Sequence, residues 1–151
     1  MDIYEEAVMR YLSAGGKRFV SHQYSIRFDQ RKEWSCPDFI VIDFSDRTIY
    51  VAEVTTADNI DNIALKVRNK GSQWLTKLKE SFDHNLREVV RNYEEWIVVF
   101  VRKEKVQSLI DKTKDIERVS VKALDDVLYP WKWTWDEENI PVIDLKRSST
   151  G

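Results

Sequence analysis

Two apolar runs, Phe39 to Phe44 and Thr48 to Val54, stand three residues apart, and the residues between them, Ser45, Asp46 and Arg47, suit a turn. Both faces of each run are largely apolar. The pair therefore reads as a β-hairpin in the middle of a sheet that helices cover on both sides. One register satisfies its hydrophobic pairing, with Ile40 opposite Val51 and Ile42 opposite Ile49. The same register sets Asp38 directly across from Glu53 at the open end.

The rest of the chain supplies the cover. Tyr4, Ala7, Val8, Tyr11 and Leu12 recur at helical spacing, and Gly15-Gly16 is a stop. Val20, His22, Tyr24, Ile26 and Phe28 alternate with polar residues as a strand does, and Asp29 to Cys36 reads as a polar loop ended by Pro37. Ile60, Ile63, Ala64, Val67, Trp74, Leu75, Leu78 and Phe82 predict a long helix, either continuous or interrupted at Gly71. Trp96 to Val101 predicts a buried strand. A short helix at Val106 to Ile110, a short strand at Val119 and Val121, and a helical turn at Leu124 to Leu128 follow. The order α-β-β-β-α-β-α-β predicts an α/β fold, a mixed central sheet flanked by helices. At 151 residues the chain makes one domain, expected over 1–145, with 146–151 as a polar mobile tail.

Composition narrows the setting. A third of the residues are charged, and no apolar run approaches the ~20 residues of a membrane span, so no membrane association is expected. The N-terminus has neither the basic start nor the apolar stretch of a signal peptide, and Cys36 is the single cysteine, which together predict a cytoplasmic protein. A net charge of −2 excludes a bulk coat on nucleic acid. The charge is uneven, however. Residues 1–61 carry 11 acids and 7 bases, whereas Lys66 to Lys79 holds Lys66, Arg68, Lys70, Lys77 and Lys79 with no acid.

Two carboxylates held side by side repel, and the usual remedies are a shared proton or a bound cation. Mg²⁺ prefers one or two carboxylates with water and phosphate oxygens, which Asp38 and Glu53 would offer. The plain alternative is a pair of strand-end charges reaching water. Pro37-Asp38, fourteen residues, then Glu53-Val54-Thr55 resembles the signature of the PD-(D/E)XK nuclease superfamily, the restriction-endonuclease-like fold. The likeness covers roughly residues 4 to 101 in the order αβββαβ, leaving a C-terminal αβ extension. It implies a Mg²⁺- or Mn²⁺-dependent nuclease acting on nucleic acid, DNA being the first expectation and RNA the alternative, with Asp38, Glu53 and the Val54 carbonyl as metal ligands. It also implies a glutamate from the first helix, for which Glu5 stands in the matching place at the edge of the buried face while Glu6 points away.

The chain departs from that pattern at Thr55, where a lysine is usual. The resemblance extends to branches of the superfamily, the cap-snatching endonucleases among them, that carry PD…ExT and move the lysine onto the following helix; here Lys66 and Lys70 are the candidates. The alternative is a catalytically inactive member that binds nucleic acid or a protein. Lys66, Lys70, Gln73 and Lys77 form a polar stripe suited either to a phosphate backbone or to plain solvation. His22 is a candidate metal neighbour or a packed histidine. Trp131, Trp133 and Trp135 lie on one side of an extended segment, expected to pack or to meet a second copy or a protein partner.

Overall fold

The computed structural model describes residues 2–14, 17–24, 26–27, 34–128 and 144–150. The Trp131 to Trp135 segment lies outside the described residues. The hairpin is present in the expected register: β4 (Phe39–Asp43) pairs antiparallel with β5 (Thr48–Val54), Ile40 facing Val51 and Ile42 facing Ile49. Its turn is fastened at Asp43, whose Oδ1 accepts hydrogen bonds from the N–H of Ser45 and Asp46 and from the Ser45 hydroxyl. Arg47, at φ 55°, takes the left-handed conformation that closes it.

Around the hairpin the sheet runs β1-β4-β5-β6-β7. The strand β1 (Arg18–His22) is antiparallel to β4, whereas β6 (Glu94–Val101) and β7 (Val119–Ala123) run parallel to β5. The sheet is thus mixed, and the fold is α/β as the sequence predicts. Because side chains alternate across a strand, Ile49, Val51, Ile97 and Val99 face one layer and Tyr50, Ala52, Val98 and Phe100 the other. The first layer contains α2 (Asp61–Lys77) and α4 (Val106–Thr113); the second contains α1 (Ile3–Ser13) and α5 (Leu124–Leu128).

Three local expectations are revised and one element is added. Val20 to Phe28 is not one strand, because Gln23 at φ 54° breaks it and donates its N–H to the Asp38 carbonyl at 2.8 Å. Beyond the break, β2 (Ile26–Arg27) pairs with β3 (Trp34–Ser35) inside what reads as a polar loop. The long helix α2 passes through Gly71 without interruption: a Cβ there would come within 2.9 Å of Ile97 Cδ1, so glycine allows the helix to sit close on β6. A further helix, α3 (His84–Val90), follows α2, capped by the Asp83 carboxylate on the Leu86 N–H.

The polar tail is likewise docked. Leu145 is fully buried, the Ser149 N–H bonds to the Val121 carbonyl, and the Ser148 and Ser149 hydroxyls accept from the N–H of Val121 and Ala123. These bonds cover the outer edge of β7, where unpaired strand groups would otherwise stand open. Among the described residues no helix is long and apolar enough to cross a membrane.

Candidate metal centre

The carboxylate pair sits where β4 begins and β5 ends. Extending the hairpin register by one step places Asp38 against Glu53 on the α2 side of the sheet, with Ile40 and Val51 beneath them. One Asp38 oxygen accepts the Val54 N–H at 2.8 Å, so the backbone of the residue after Glu53 is turned toward Asp38. In extended backbone a residue's N–H and C=O point to the same side. The Val54 carbonyl thus shares that side.

Glu53 is the unusual member. It is only 2% exposed, and burial pushes its carboxyl up to about 8; the Asp38 charge and a hydrogen bond with Asp38 add to the rise, while Lys66 opposes it. Lys66 reaches down from α2 and holds Nζ 3.0 Å from Glu53 Oε1. That oxygen is buried, with the Lys66 ammonium as its charged neighbour. The ammonium also lies 5.8 Å from the centroid of the buried Trp74 ring, two helical turns along α2. Trp74 reads from the sequence as core alone, and its recurrence eight residues after Lys66 is the signal that both share one stripe.

The other expected residues are distributed differently. Glu5 and His22 lie together, with Nε2 3.7 Å from Glu5 Oε2, on the opposite layer from Glu53, where the His22 ring packs 5.2 Å from that of Phe39. Glu5 also completes a capping box with Asp2, which holds the first turn of α1. Among the described residues no three His, Cys, Asp or Glu side chains form a group able to hold a metal ion. Thr55 keeps its hydroxyl at home, accepting the Ala57 N–H at 3.2 Å.

On α2, Gln73 is exposed and Lys77 pairs with Glu80, while the side chain of Lys70 lies outside the described residues. The basic segment is less free than its composition implies. Arg68 grips Asp115 through both nitrogens, and Lys79 binds Glu95 together with the Arg91 and Tyr93 carbonyls. Each described basic side chain from Lys66 to Lys79 therefore has an acid partner, local for Lys77 and distant in sequence for the others. A second feature not visible in the sequence is Arg102, just past the end of β6, whose guanidinium meets Asp58 at 2.7 Å.

No family model and no curated protein matches the chain.

The donor set itself can be tested against a hard divalent cation. Two facing carboxylates, one of them almost wholly buried, and a peptide carbonyl on the same side are oxygen ligands of the type Mg²⁺ and Mn²⁺ take. The residues fit.

Proposed function

We propose that the chain is a Mg²⁺- or Mn²⁺-dependent nuclease that hydrolyses phosphodiester bonds in DNA or RNA. The observation that carries this reading is the placement of a buried Glu53 against Asp38 at the end of the hairpin, with the Lys66 ammonium on the same carboxylate. Asp38, Glu53 and the Val54 carbonyl would hold the ion. A divalent ion held there supplies Lewis-acid polarisation of phosphate oxygen and a more acidic water.

The chain's own residues do the rest. Lys66 stands beside the carboxylates and replaces the positive charge missing at Thr55, steadying the phosphate as negative charge builds on it. Gln73, Lys77 and, on the same helical stripe, Lys70 are placed to follow a phosphate backbone. Glu5 and His22, on the other layer, fasten α1 to the strand that borders the site, a positioning role rather than direct ligation.

The test is cleavage of single- and double-stranded DNA and RNA by purified protein with Mg²⁺ or Mn²⁺. Asp38→Ala and Glu53→Ala should each abolish it. Equal activity in these variants would trace the cleavage to a contaminant and remove the proposal.

A second reading has its own support in Thr55, whose hydroxyl is spent on a local turn and offers no cation. On that reading the chain keeps the fold and binds nucleic acid or protein without cleaving. Retained cellular function in Asp38→Asn, with no metal-induced rise in Tm for the wild type, would favour it.

A further inference from the structure

We infer that Lys66 is an internal counter-ion that occupies the cation position on Glu53 and is exchanged for the divalent ion when the metal binds. The inference rests on the metal-dependent reading above and adds how that site is kept stable and is loaded. Glu53 is almost wholly buried, and a lone carboxylate there would be costly. Lys66 supplies the compensation at 3.0 Å from Oε1. The pair joins a buried carboxylate to an ammonium on a partly exposed stem, which another cation can replace.

A divalent ion on Glu53 Oε1 and an ammonium 3.0 Å from the same atom would repel strongly at such separation. Both cannot keep their places. Lys66 has somewhere to go: its side chain is 38% exposed, so the ammonium can swing outward from α2 toward solvent. Moved out in this way, it leaves Glu53 while staying close to where a bound phosphate would sit. Lys66 thus opposes metal binding and favours the phosphate, two effects of opposite sign from one residue.

The experiment follows Mg²⁺ binding to the full chain by thermal denaturation, in one buffer for all variants. Lys66→Met is expected to bind Mg²⁺ about tenfold more tightly than wild type, with Lys66→Gln close to it. Lys66→Arg, which keeps the charge, is expected to bind no more tightly than wild type. Binding by the wild type that both neutral variants leave equal or weaken overturns the exchange alone. Absence of Mg²⁺ binding in the wild type and the neutral variants together overturns the exchange and the metal-dependent reading with it.

Discussion

Glu53 is buried against Asp38, whose charge adds to the rise that burial causes in its pKa, while Lys66 at 3.0 Å opposes it. Glu53→Gln takes from Lys66 the charge it faces but keeps a group that can donate to Asp38. On the proposed function, we predict that this variant loses cleavage and stays within about 1 kcal/mol of wild type in metal-free urea denaturation. A loss of several kcal/mol would show that the carboxylate is a structural asset. Asp43, at the other end of the hairpin, behaves oppositely. Burial raises its pKa, but hydrogen bonds from Arg18, Ser45 and Asp46 outweigh that and hold the carboxyl below its usual 3.8. A lowered folded value means that the stabilisation is complete above the unfolded pKa and is lost as pH falls through the folded one. Asp43→Asn should therefore cost about 2 kcal/mol at pH 7, replacing the carboxylate 2.6 Å from the buried Arg18 by a neutral amide, and progressively less below the usual aspartate range. A difference constant from pH 7 to pH 2 would mean that the charge is not its source.

At the scale of elements, the hairpin register is legible in the sequence because isoleucine and valine must meet on one face, and a slip of one residue would turn them all outward. The same logic brings Asp38 and Glu53 together without any structure. Helix α2 is legible as an amphipathic face, but periodicity cannot show that Lys66 turns in toward a carboxylate thirteen residues back while Arg68 is taken by Asp115. Those partners are distant in sequence, and propensity carries no information about them. The ribbon of β2 and β3 has two residues a strand, too short for any period to register. The C-terminal segment reads as a tail because its residues are polar, yet its serine hydroxyls answer the N–H groups of β7 and Leu145 fills the core. Leu145→Ala should cost about 3 kcal/mol in thermal or urea denaturation. No loss would mean that the segment only rests on the surface.

For the whole molecule, the near-neutral charge takes on a local meaning. The one positive segment is largely compensated by Glu53, Asp115, Glu80 and Glu95, so the protein has no broad cationic face there to attract nucleic acid from a distance. Affinity for duplex DNA should depend on salt as expected for about three phosphate contacts, a slope near −3 in log affinity against log salt. A slope two or three times steeper would place the binding surface elsewhere. What holds phosphate on this account is the cation between the hairpin carboxylates, aided by the Lys66 stripe. The direct measurement is anomalous diffraction from crystals soaked in Mn²⁺. The predicted result is a peak between Asp38 and Glu53, lost in Asp38→Asn, with Lys66 withdrawn from Glu53. An empty hairpin end with Lys66 still on Glu53, under conditions where the protein cleaves nucleic acid, would contradict it.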